Sequence, residues 1–88
     1  MVKKEFELIN KLGLHSRAAA LFVQLTNRYL SDINIEKGER TVDGKSIMGI
    51  LSLGVSKGDK IVVSAEGIDE GEVLQEIETL LLEELNNV

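Results

Sequence analysis

Two side chains that can carry phosphate stand at the starts of helix-like runs. His15, the only histidine, lies in Gly13-Leu14-His15-Ser16-Arg17 ahead of an alanine-rich run. Ser46 lies in Gly44-Lys45-Ser46-Ile47-Met48-Gly49 ahead of a second apolar run. The start of a helix presents backbone N–H groups without intrahelical acceptors and a partial positive charge, so it holds phosphate without a metal or a deep pocket. A neutral imidazole has a lone pair free to take a phosphoryl group, and the resulting N–P bond gives it up readily. The helix end favours the neutral ring before transfer and, through the N–H groups of Ser16, Arg17 and Ala18, the added negative charge after it. Arg17 is two positions on, where a planar guanidinium can make a forked contact with phosphate oxygens. Taken alone, His-x-Arg also fits a capping histidine beside a solvated arginine, and serine is an ordinary N-cap.

Composition narrows the classes. A chain of 88 residues makes one domain, taken as 1–88, and buries roughly 60% of the surface it exposes unfolded, which leaves no volume for an enclosed active site. A carrier is therefore expected rather than an enzyme, with no cofactor. The net charge of -5, from 15 acidic and 10 basic side chains, argues against direct nucleic-acid binding. With no cysteine and a single histidine there is no ordinary zinc site, no disulfide and no expected metal. The N-terminal charges break any signal-peptide pattern, and no apolar run reaches the roughly 20 residues that span a bilayer, so a cytoplasmic protein without membrane insertion is expected.

Alternation then supplies the scaffold. Glu5 to Ile9 reads as a strand with Phe6 and Leu8 on one face, and Ala18 to about Asn27 as a helix beginning next to His15. Ile33 and Ile35 alternate with polar residues, and Lys37-Gly38-Glu39 turns the chain back along Arg40–Asp43 as a hairpin. Ser46 caps a short helix through Leu53, closed by Gly54. Lys60–Ala65 reads as a strand after the Lys57-Gly58-Asp59 turn. Asp69 with Glu72 forms a capping-box pattern ahead of a helix running to Leu85. The order β-α-β-β-α-β-α predicts an α+β fold, a four-stranded antiparallel sheet covered on one face by three helices. Ile47, Met48, Ile50, Leu51 and Leu53 are too many apolar groups for one side of a short helix, so some face solvent as a docking patch near His15.

The two motifs, together with Leu51-Ser52-Leu53-Gly54, resemble HPr, the histidine-containing phosphocarrier of the bacterial phosphoenolpyruvate-dependent sugar phosphotransferase system, over essentially the whole chain. The resemblance implies an open-faced β-sandwich. It implies that His15 accepts a phosphoryl group at Nδ1 from phosphorylated enzyme I and passes it to sugar-specific IIA domains, with Arg17 assisting. It further implies regulatory phosphorylation of Ser46 by HPr kinase/phosphorylase, which slows transfer at the histidine and permits binding to a catabolite-control transcription factor. Docking is expected through Ala20, Gln24, Ile47, Met48 and Leu51, and the shuttle is expected to be a monomer.

The chain departs from the family in two places. Ala18 stands where the family usually has proline, which preserves a first helical turn but adds a backbone donor. Gln24 and Asn27 stand where members often have lysines, leaving Arg17, Arg28 and Lys45 to steer acidic partners. Within the resemblance, the alternative is a regulatory or nitrogen-type paralogue not committed to sugar uptake, and His15 disfavours those paralogues that lack this histidine. Outside it, an acyl-carrier-type protein would require a helical bundle, which the strand-like alternation opposes, and an anion-sensing α/β domain would bind rather than form a bond.

Overall fold

A computed structural model describes residues 1–87. The elements are β1 (Val2–Glu7), α1 (Ser16–Thr26), β2 (Asp32–Lys37), β3 (Arg40–Asp43), α2 (Ile47–Ser52), β4 (Lys60–Glu66) and α3 (Glu70–Leu82), followed by a 3-10 turn over Glu84–Asn87. The strands form one antiparallel sheet in the order β1-β4-β2-β3. Two-residue periodicity decides its faces. Ala65 pairs with both Val2 and Ile33, Val63 with Lys4 and Ile35, and Ile61 with Phe6. Phe6, Ile33, Ile35, Ile61, Val63 and Ala65 are buried on the inner face, under Phe22 of α1, Ile50 of α2 and Val73, Ile77 and Leu81 of α3. Lys3, Glu5, Asn34 and Thr41 lie exposed on the other face, so the sheet is covered on one side as the periodicity predicts, in the open-faced sandwich that the resemblance implies.

Several element ends differ from the expectation, most at the start of β1 and the end of α3. β1 starts at Val2 rather than Glu5. Lys4 shares the register of the inner face at the edge of the sheet, where its ammonium pairs with Glu78 of α3 and sits 5.7 Å from the centre of the Phe6 ring. That pairing lets a charged residue occupy a position that alternation reserves for an apolar one. α3 ends at Leu82 rather than Leu85, although Leu85 is still buried, carried into the core by the 3-10 turn.

The capping box at Asp69 and Glu72 does not form. Asp69 is the N-cap residue of α3 but makes no side-chain cap to its own helix. Its carboxylate accepts hydrogen bonds from the Leu30 N–H at 2.9 Å, the Ser31 N–H at 3.0 Å and the Ser31 hydroxyl. Glu70, the first residue of α3, turns its carboxylate back to accept from the Gly67 N–H of the preceding turn at 3.1 Å. Tertiary contact overrides the local pattern because Gly67 lies directly on Ser31, where a side chain on Gly67 would collide with it. Asp69 thereby ties the turn after α1 to the turn after β4.

The Ser31 hydroxyl and the Leu30 N–H hold the Asp69 carboxyl below its ordinary range. A carboxyl whose value is depressed in the folded state stabilises the fold above its unfolded value, and that stabilisation is lost as pH falls through the folded value. Denaturant unfolding measured from pH 7 to pH 2 is expected to show an acid-side loss of stability that is smaller in Asp69→Asn, which starts from a lower stability at pH 7.

Candidate functional site

The loop from Leu8 to His15 is shaped before the helix begins. Gly13 has φ of +61°, and its backbone lies so close to Val55 and Ser56 that a Cβ would overlap the Val55 carbonyl. The buried Asn10 side chain donates to the Gly13 carbonyl at 2.7 Å, and the Leu14 N–H donates to Val55 O at 3.0 Å. Leu14 is buried, which fixes the residue immediately before the imidazole.

His15 is then the N-cap of α1, with extended backbone at φ −73° and ψ 178°. Its carbonyl accepts from the Ala19 N–H at 2.8 Å, and the N–H groups of Ser16, Arg17 and Ala18 precede the first intrahelical bond. The ring is half-buried and its nitrogens are not equivalent: Nε2 is buried and has no hydrogen-bond partner among the described residues. Arg17 is exposed and takes part in none of the four ion pairs formed among the described residues. The arrangement offers an imidazole, open amides and an unengaged guanidinium at one helix end.

Ser46 caps α2 as its sequence position predicts. Its hydroxyl oxygen accepts from the Gly49 N–H at 3.0 Å, and its carbonyl accepts from the Ile50 N–H at 3.0 Å. The two helix starts are nevertheless apart. Thr26, the last residue of α1, donates its hydroxyl to Gly44 O at 2.9 Å, just ahead of α2, whereas Leu14 is bonded to Val55, just beyond the end of α2. The two helices therefore pack antiparallel, with His15 at the start of α1 and Ser46 at the start of α2.

The apolar residues expected to dock partners differ in exposure along α2. Ile47 and Met48 are 40% and 78% exposed but sit in the first turn of α2, at the Ser46 end. Leu51 and Ala20 are half-buried, and Ile50 and Leu53 belong to the core. Gln24 is exposed and lines a groove of about 160 Å³ with Leu21, Arg28 and the α3 residues Glu76 and Leu80. Lys45, expected to steer partners, donates its ammonium to Tyr29 O at 2.8 Å. Leu12, 58% exposed, lies on the same loop as His15.

A small open-faced α+β domain with an accessible histidine capping its first helix is the architecture of a histidine phosphocarrier. The family model described as "PTS HPr component phosphorylation site" matches residues 2–83, and the chain belongs to the HPr family. It is 45% identical over 85 residues to the HPr-like protein Crh of Bacillus subtilis, covering 97% of this chain and all of that one. It is 40% identical over 81 residues to the phosphocarrier protein HPr of Neisseria meningitidis, covering 92% of this chain and 91% of the relative. The crystal structure of HPr from Thermoanaerobacter tengcongensis superposes with a TM-score of 0.93 at 46% identity, over 97% of this chain and 96% of that one. A second crystal structure from that organism, at 46% identity and a TM-score of 0.77 over 97% and 98% of the two chains, is of an HPr dimer.

Loss of the α2 cap has a defined cost. Ser46→Ala is expected to lower stability by about 1 kcal/mol, read as a fall in the denaturant midpoint at constant slope.

Proposed function

We propose that this HPr-family phosphocarrier takes a phosphoryl group on His15 from phosphorylated enzyme I and hands it to sugar-specific IIA domains. The observation that carries the reading is the half-buried His15 ring at the open start of α1, with Nε2 turned inward. Nδ1 is then the attacking atom. Its lone pair forms the N–P bond as the bond between phosphorus and the donor breaks, and the same exchange runs in reverse toward the acceptor. The Ser16, Arg17 and Ala18 amides hold the phosphate oxygens, and Arg17 swings in to share their charge. Ala18 supplies one of these donors, where the proline usual in the family would not.

Ser46 is proposed as the regulatory site, phosphorylated by HPr kinase/phosphorylase and, in that form, bound by a catabolite-control transcription factor. Its oxygen already faces the start of α2, so a phosphate there meets the amides of Ile47 and Met48 and stabilises the helix. Ala20, Gln24, Ile47, Met48 and Leu51 form the docking surface, with Met48 able to adapt to successive partners. A regulatory role without sugar transfer is the second reading, favoured by the likeness to Crh. The presence of His15 supports the carrier reading against it. We further propose that the working form is a cytoplasmic monomer, because a shuttle offers one small face in turn to donor and acceptor; among the described residues no helix is long and apolar enough to cross a membrane.

Incubation with phosphoenolpyruvate and enzyme I is expected to add one acid-labile, base-stable phosphoryl group, absent in His15→Ala. An acid-stable label that persists in that variant refutes the assignment. Ser46→Asp is expected to slow the same reaction, since it places negative charge beside Ile47 and Met48. An unchanged rate would remove the proposed switch.

A further inference from the structure

The loop that presents His15 lies on a second loop, the segment 53–59 between α2 and β4, and is fastened to it at both ends. At one end the Leu8 N–H donates to Asp59 O at 2.9 Å and the Gly58 N–H to Leu8 O at 2.7 Å. At the other the Leu14 N–H donates to Val55 O. The position of the ring therefore depends on what holds the underlying loop.

One side chain holds it. Lys37, at the end of β2 on the inner-face register, directs its ammonium to Gly54 O at 3.0 Å, to Leu53 O at 3.3 Å and to the Asp59 carboxylate at 3.1 Å. Asp59 in turn accepts from the Ser56 N–H at 2.8 Å. A single cation thus spans both ends of the lower loop, and the carboxylate it meets closes the turn between them. The ion pair alone is half-exposed and weak. Its effect is geometric, because the backbone bonds carry its position to Leu14 and the imidazole that follows.

We propose that Lys37 and Asp59 are positioning residues for His15, bracing the loop beneath the imidazole without touching the phosphoryl group. This rests on the reading of His15 as the phosphoryl acceptor. Misplacement of a reacting atom by a fraction of an ångström raises the barrier without weakening the encounter, so the brace acts on turnover rather than on docking.

Lys37→Met removes the charge and keeps the stem; Lys37→Arg keeps a cation; Asp59→Asn keeps an acceptor for Ser56. With enzyme I as donor, Lys37→Met is expected to lower kcat for His15 phosphorylation about tenfold with KM within about twofold, and Lys37→Arg to recover most of the loss. Asp59→Asn is expected to fall between them. Circular dichroism checks that each variant is folded. Two readings free of phosphate accompany the kinetics: faster hydrogen exchange at the Leu14 amide, and a changed or broadened His15 ring signal in NMR spectra. A folded Lys37→Met protein with unchanged kcat, Leu14 exchange and ring signal overturns the brace, as does a loss confined to KM. If the unaltered chain takes no phosphate, the carrier reading fails, and Leu14 exchange with the ring signal still decides the brace.

Discussion

The approach of backbone to backbone at Gly13 is the constraint on which the site depends. The His15 loop lies flat on the segment after α2 because Gly13 presents no Cβ to the Val55 carbonyl and accepts a φ of +61°. That contact lets Leu14 bond to Val55 and brings its side chain into the core. His15 then stands at the rim of the core, where a ring can be held on one side and reached from the other. The buried Asn10 side chain secures the same turn by donating to the Gly13 carbonyl.

Antiparallel packing of α1 and α2 sets the electrostatics. It brings the C-terminal end of α2, with its unpaired carbonyls and partial negative charge, toward the end of the molecule that bears His15. Two cations cover those carbonyls: Lys37 on Leu53 and Gly54, and Arg40 on Ser52 at 2.5 Å. They offset a field that would oppose an anion bound at the start of α1. Ser46 lies at the other end of α2, at its start.

Most of the scaffold was legible because local and tertiary preferences agree. Phe6, Ile33, Ile35, Ile61 and Val63 alternate in sequence and line one face of the sheet, and Ser46 caps the helix it precedes. The exceptions arise where a distant partner overrules the local signal. Asp69 has the spacing of a capping box, yet Ser31, far away in sequence, offers its hydroxyl and its amide. Lys3 and Lys4 conceal the start of β1 because alternation has no entry for a lysine paired with Glu78 across a packed helix. At the site, the motifs placed His15 and Ser46 ahead of helices, and both are N-cap residues. The opposite placement of the two helix starts had no local signature: it is set by Thr26 bonding to Gly44 and Leu14 to Val55, contacts between segments distant in sequence.

The bare side of the sheet gives the molecule a front and a back. Lys3, Glu5, Asn34 and Thr41 stand there in water, with no helix over them and neither His15 nor Ser46 among them. A dye or a solid support attached through Thr41 would leave the phosphate-bearing side turned to bulk solution, so the chain can be anchored and still exchange its cargo freely.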